Sequence, residues 1–392
     1  MDVSFFIAER LRFKGKIAVV SIAISFLVMI IAVSVSSGFR HEVRSGLSSL
    51  SGDIRLMPHD MNVLDENAPI ERNPSYLSYI EQVEGVESIN PTVYRAGIVK
   101  NGENIHGVLF KGVDRGVKEA PDSMTLAVSI PSRLAEISGL KEGDRMLAYF
   151  VGEKVKARQF NVAAVHQTIV QADDKLVVYA DMADLQRING WEEDQVSALE
   201  VLLEPGYKNE GRIQQTGDII GTLTNVYSSD DEASVIAVSA VSNYPQLFDW
   251  LNLIDFNVLF ILVLMTIVAG FNMISGLLIM LFENISTIGL LKSLGMTDRA
   301  ISKVFLSSSA VLVMKGMAAG NALALLFCFV QGKTHLLRLN PENYFVSFVP
   351  VNPDLGMILC ADIISFVVIM LLLLIPCIFI SKVDPAETVR VK

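Results

Sequence analysis

Charge is scarce in this chain of 392 residues. Asp, Glu, Lys and Arg make up 19%, against about 25% in an ordinary soluble domain, while apolar residues reach 51%. Disorder requires low hydrophobicity and is excluded. A basic excess is also missing. The 42 acidic and 32 basic residues leave a net charge of -10, which excludes an overall basic nucleic-acid binder. Cysteine is nearly absent: Cys328, Cys360 and Cys377 all fall inside apolar runs, so no disulfide framework exists and they read as small packing residues. The five histidines, His41, His59, His106, His166 and His335, have no metal-ligand spacing. No G-x-S-x-G or H-E-x-x-H occurs. Asp173-Asp174 sits in a polar turn and reads as solvated. Gly332-Lys333-Thr334 looks like the end of a phosphate-binding loop, but the required earlier glycine is Phe327. The sequence therefore points to no metal, catalytic or nucleotide site in this chain.

The apolar residues concentrate in four runs. Ile17 to Ser36 and Phe256 to Phe282 carry no charge; Val304 to Gln331 is interrupted only by Lys315, and Leu355 to Ile380 only by Asp362. About 20 helical residues cross a hydrocarbon core of roughly 30 Å, so each run is long enough to span. The first is longer than a typical signal-peptide core and no clear small-x-small cleavage site follows it, so it reads as an uncleaved anchor. The expected organisation is a basic N-terminal helix (1–16), spans at 17–37, 255–282, 304–331 and 355–380, a large domain at 38–254, a loop at 283–303, a short loop at 332–354 and a tail at 381–392. The fold class is an α-helical membrane protein with four transmembrane helices and a large mixed α/β periplasmic domain between helices 1 and 2.

Short-loop Lys and Arg set orientation. Arg10, Arg12, Lys14 and Lys16, then Lys292, Arg299 and Lys303, then Lys382, Arg390 and Lys392 share one side, expected to be cytoplasmic, with both termini there. Residues 38–254 hold 19 basic and 32 acidic residues, a net of -13, so the acidity belongs to the outer domain. That domain reads as strands and helices. The first span continues as a helix through Phe39 to Leu50. Thr92 to Lys100 and Glu103 to Val113 form a hairpin around Asn101-Gly102. Arg145 to Val151 and Lys154 to Val165 form a second around Gly152-Glu153. Lys175 to Tyr179 leads into a helix at Met182 to Ile188, and a strand at Ala198 to Leu203 precedes a helix at Lys208 to about Leu223.

The cytoplasmic loop runs from Glu283 to Arg299. Ile285, Ile288, Leu291 and Leu294 give a helical apolar stripe, Gly295 is a natural C-cap, and Thr297 or Asp298 can cap the next helix. The residues Glu283 and Ile288-Gly289-Leu290-Leu291-Lys292-Ser293-Leu294-Gly295 resemble the coupling helix of the type VII ABC transporter permeases, the superfamily of LolC/LolE, FtsX and MacB, with Gly289 where an alanine is usual. Ile7 to Arg12, Ser36-Ser37-Gly38-Phe39 with Glu42, Gly107 to Asp114, Ala269 to Ser275, Tyr344 to Val351 and Asp384 to Thr388 are similar to segments of the LolC/LolE branch in the same order.

The resemblance implies a permease subunit of an inner-membrane ABC transporter that extracts lipoproteins. A separate, LolD-like ATPase holding ATP and Mg would dock on Glu283, Ile285, Ile288, Leu291, Lys292, Leu294 and Gly295. It also implies a second permease copy or paralogue, a lipoprotein cargo, a periplasmic carrier protein, contact with membrane lipid, and no nucleic acid. Cargo would enter between the first two spans, against Val28, Ile31, Val35, Phe260, Leu264, Phe271 and Asn272. LolC recruits its carrier with a long hairpin, and the matching place here, Tyr149 to Phe160, is compact. FtsX-like control of a cell-wall hydrolase, MacB-like efflux and a sensor or scaffold without ATP coupling are the competing readings.

Lys315 and Asp362 are costly in hydrocarbon, and counting inward from each face puts them at similar depth, so they are expected to pair between spans three and four, the alternative being that each snorkels or faces a wet interface. Gly316 and Gly320 form G-x-x-x-G, a close-packing signal. Pro376 should kink the fourth span.

Overall fold

The computed structural model describes residues 16–64, 69–102, 104–114, 126–152, 154–166, 176–340, 344 and 346–381. The N-terminal basic segment, Asp173-Asp174 and the Asp384 to Thr388 tail lie outside them. Among the described residues, four helices are long and apolar enough to cross a membrane: Lys16–Ser51, Pro245–Glu283, Asp298–Thr334 and Leu355–Ile378. The chain divides into two compact units. One comprises 1–41, 251–338 and 348–392; the other comprises 42–250 and 339–347.

The first long helix has 36 residues, far more than the roughly 20 a hydrocarbon core needs, and its last turns belong to the second unit. The fourth helix is broken: Leu355–Leu372 gives way at Leu373 to Leu374–Ser381. Pro376 lacks a donor and its ring crowds the carbonyl four residues back, which is Leu372.

Among the described residues the second unit has eleven strands: β1 (Ile54–Pro58), β2 (Ile70–Glu71), β3 (Val86–Asn101), β4 (Asn104–Val113), β5 (Ala127–Pro131), β6 (Arg145–Phe150), β7 (Lys156–His166), β8 (Val177–Asp181), β9 (Gln195–Val196), β10 (Ala198–Leu203) and β11 (Val235–Ser239). Nine join in the order β11-β1-β10-β3-β4-β8-β5-β7-β6, and β6 pairs again with β3. That second pairing closes β3-β4-β8-β5-β7-β6 into a ring. Phe110, Phe150 and Phe160 fill it, with ring centroids 5.0, 5.2 and 6.1 Å apart. Gly97 on β3 faces them; a Cβ there would lie 2.9 Å from Phe110 and 3.1 Å from Phe150, so a larger residue would force the packed rings to shift. The first half of β3 instead pairs with β10 in a sheet packed against the helix Glu210–Tyr227.

The expected hairpins form, with adjustments. Asn101 pairs with Asn104, so the first strand runs one residue further than the Asn-Gly signal suggests, and Gly102 takes the positive φ of +61°. The second hairpin pairs Phe150 with Lys156. The strand expected at Lys175 to Tyr179 runs Val177–Asp181, and the following helix is capped by the Asp181 carboxylate.

His166 closes β7. Its Nδ1 lies 2.8 Å from Ser129 Oγ and its ring meets Tyr179 edge-on. Burial lowers its pKa from 6.5 to about 4. Below pH 6.5 the unfolded chain takes up a proton here that the folded domain refuses until about pH 4. Stability is therefore complete above that window and falls as pH drops through it. Urea titrations of the full chain in detergent should show a lower midpoint near pH 4.5 than near pH 7, and His166→Gln should flatten that dependence.

Candidate functional site: the coupling loop and the membrane helices

The loop after the second span folds as a helix, Ile285–Ser293, set off from Glu283 by Asn284. Its end is a two-bond cap. The amide of Met296 donates to the Leu291 carbonyl and that of Gly295 to the Lys292 carbonyl, each at 3.0 Å, with Gly295 at φ +86°. The Thr297 side chain accepts from the Ala300 amide and starts the third span, and the Lys292 ammonium lies 2.9 Å from the Asp298 carboxylate. Two caps and one ion pair thus fix the angle between the short helix and the span that follows it.

The three-residue stripe does not stay on one face. Each step of three turns about 300°, so the stripe drifts around the helix. Ile288 is 1% exposed and packs into the membrane-helix core, with Leu291 half-buried beside it. Ile285 and Leu294 are exposed, and so is Leu290 at 54%. Glu283 and Gly295 are exposed and Lys292 is half-buried. Ile288 is therefore an anchor. The surface open to a partner is led by Leu290 and Leu294, one turn apart; Leu290 lies off the three-residue stripe.

The remaining candidates distribute as follows. Phe260, Leu264 and Phe271 are exposed along the second span. Val28, Ile31 and Val35 are half-buried, and Ile31 packs with Ile30, Ala324 and Ile358. Asn272 donates to Ser21 Oγ at 2.6 Å and joins the first two spans. At their other end Asp255 accepts from Ser36 Oγ at 2.7 Å and pairs with Arg40. Only Phe260, Leu264 and Phe271 present an open apolar surface; the first-span candidates are partly covered, and Asn272 is a crosslink between the two helices.

The expected Lys315–Asp362 pair does not form. Asp362 is buried and accepts from Asn321 Nδ2 at 2.6 Å, while Lys315 is exposed. Six residues separate Lys315 from Asn321, a rotation of about 240°, so a helix that turns Asn321 toward the fourth span turns Lys315 away. Depth alone could not distinguish the two. Asp362→Asn keeps an acceptor oxygen in place and should leave the melting temperature nearly unchanged. Asp362→Leu strands the Asn321 amide and should cost about 1–3 kcal/mol, read as a lower melting temperature in detergent. Lys315→Met should be close to neutral.

A family model described as the FtsX-like permease C-terminal domain matches residues 259–385, which contain most of the second span, the coupling loop and the last two spans. The lipoprotein-releasing system transmembrane protein LolC of Neisseria meningitidis serogroup B is 23% identical over 97% of this chain and 94% of its own length. The relationship is to the LolC/LolE-type permeases. LolE of Haemophilus influenzae is 20% identical over 99% of both chains. Among solved structures, the periplasmic region of MacB from Actinobacillus actinomycetemcomitans is similar at 11% identity and a TM-score of 0.32, covering 51% of this chain and 95% of that one. The LolC/LolE likeness spans both compact units, and the type VII ABC permease resemblance carried by Glu283 to Gly295 falls within the FtsX-like match.

Proposed function

We propose that this chain is the permease subunit of an ABC transporter in which a separate ATPase drives extraction of lipoproteins from the inner membrane. The near full-length similarity to LolC and LolE, whose names state lipoprotein release, carries the reading. The termini and the Ile285–Ser293 helix face the cytoplasm, on the strength of Lys292, Arg299 and Lys303, and the unit at 42–250 lies in the periplasm. The ATPase, which holds ATP and Mg, docks on the face carrying Leu290 and Leu294. A second permease chain packs alongside, and cargo acyl chains enter against the exposed apolar side of the second span. Transport is by mechanotransmission: closure of the ATPase pulls two permease subunits together, and the long helices carry that movement to the periplasmic domain. The five sequence positions between the paired residues Phe150 and Lys156 leave no room for a long insertion, which favours a LolE-like division of labour with a carrier recruited by another surface. Affinity purification of the full chain in mild detergent, followed by mass spectrometry, should return an ABC ATPase, a second permease chain and acylated protein. Recovery of a cell-wall hydrolase in place of acylated protein would overturn the cargo assignment.

A further inference from the structure

The first long helix ends at Ser51 inside the 42–250 unit, and its last carbonyls have no helical partner. Lys111 on β4 meets them. Its ammonium donates to the carbonyls of Ser49 at 2.8 Å and Leu50 at 3.1 Å, the sign a helix C-terminus favours. The same ammonium lies 2.8 Å from Glu200 on β10, and the two side chains are 2% and 5% exposed. Tyr94 on β3 donates to Glu200, and its hydroxyl lies 3.4 Å from the Leu50 carbonyl. Burial and the Glu200 carboxylate hold the Tyr94 hydroxyl well above its ordinary pKa, so it remains a donor. Arg55 on β1 covers the Tyr94 ring at 4.7 Å, with Glu200 3.8 Å away.

A second set of bonds continues from this cluster. Ser48 donates to the Asp53 carboxylate, which also accepts from the Leu203 amide at 2.8 Å. The Asp53 carbonyl accepts from the Ala240 amide at 2.9 Å, five residues before the second long helix begins at Pro245. The end of one membrane-type helix and the approach to the other are thus tied to the same strands.

We propose that Lys111, with Glu200 and Tyr94, is a positioning group that locks the end of the first long helix to the sheet, so that displacement of that helix carries the domain with it during transport. This rests on the transport reading above. Burial alone would not select these residues, because a buried ion pair replaced by well-packed apolar side chains is often neutral or stabilising. Apolar side chains can fill the space but cannot hold two helix-end carbonyls.

The test uses the full chain assembled with its ATPase in proteoliposomes. Lys111→Met with Glu200→Gln, which removes the Lys111–Glu200 charge pair and keeps an acceptor oxygen beside Tyr94 and Arg55, should melt within a few degrees of wild type and hydrolyse ATP within about twofold. Cargo released per ATP should fall at least tenfold, and Lys111→Arg should retain most of it. A wild-type ratio in the double variant, or a parallel loss of hydrolysis, release and melting temperature, would overturn the proposal. If the double variant does not fold, Tyr94→Phe is expected to lower the ratio about threefold, and an unchanged ratio would count against the lock. Hydrogen exchange reads the lock without transport. The Gly52 amide, bonded to the Ser48 carbonyl at 2.9 Å, should exchange at least tenfold faster in Lys111→Met, and an unchanged rate would overturn the lock. Absence of ATP-driven release by wild type would instead strike the transport reading.

Discussion

Gly320→Leu should prevent the membrane helices from assembling. A Cβ at Gly320 would lie 2.5 Å from the Ala23 carbonyl oxygen and 2.9 Å from the Phe26 Cβ; at Gly316 it would lie 2.7 Å from Ile22 and 3.0 Å from the Val19 carbonyl. Two of these obstacles are backbone atoms of the first span and cannot rotate away. Overpacking typically costs about 1–3 kcal/mol where side chains can yield, and here the helices must separate, so the loss belongs at or above the top of that range. Close approach is itself what joins helices in lipid, where apolar side chains gain nothing by leaving hydrocarbon. Gly320→Leu should yield aggregated protein after detergent extraction, and Gly316→Ala a lowered melting temperature. Gly332→Ala, whose Cβ would meet Val351 at an ordinary 3.6 Å, should behave as wild type.

Leu290→Asp with Leu294→Asp should leave the chain folded and disconnect it from its ATPase. Both side chains are largely exposed, at 54% and 75%, so charge there disturbs little within the chain. At a docking interface the same carboxylates would be desolvated without partners, costing several kcal/mol each. Cargo-stimulated ATP turnover of the reconstituted complex should fall more than tenfold while melting temperature holds. Ile288→Asp should do the reverse, because Ile288 is buried among the membrane helices and a charge there breaks their packing before docking is reached. Equal effects from both changes would mean that the short helix does not dock through the Leu290 and Leu294 face.

The helices were the most legible part of the sequence, because an uncharged run of 20 or more residues has few alternatives to spanning. The continuation of the first helix to Ser51 was readable from its pattern, and so was the Gly316-x-x-x-Gly320 contact, though not that its partner is the first span. In the domain, strands with turn signals were found, while β1, β5 and β11 passed unnoticed. Each is five residues long; β5 is buried throughout, β11 shows no alternation, and β1 alternates only between buried and half-buried positions. Closure of the ring by β3–β6 pairing depends on contacts about 50 residues apart, which local pattern does not encode. The coupling stripe and the Lys315–Asp362 pair fail for one reason: both rest on spacing along a helix axis, whereas facing is set by angle around it. Asn321 was visible as a polar residue in an apolar run and is the signal that would have corrected the second case.

The most direct measurement is release of a fluorescently labelled, acylated protein from proteoliposomes containing this chain, its co-purified permease partner and the ATPase. ATP should release the lipoprotein into solution at a rate at least tenfold above that with a non-hydrolysable analogue, and the doubly charged Leu290 and Leu294 variant should return it to background. Release that is the same with ATP, with the analogue and with no nucleotide would contradict the account.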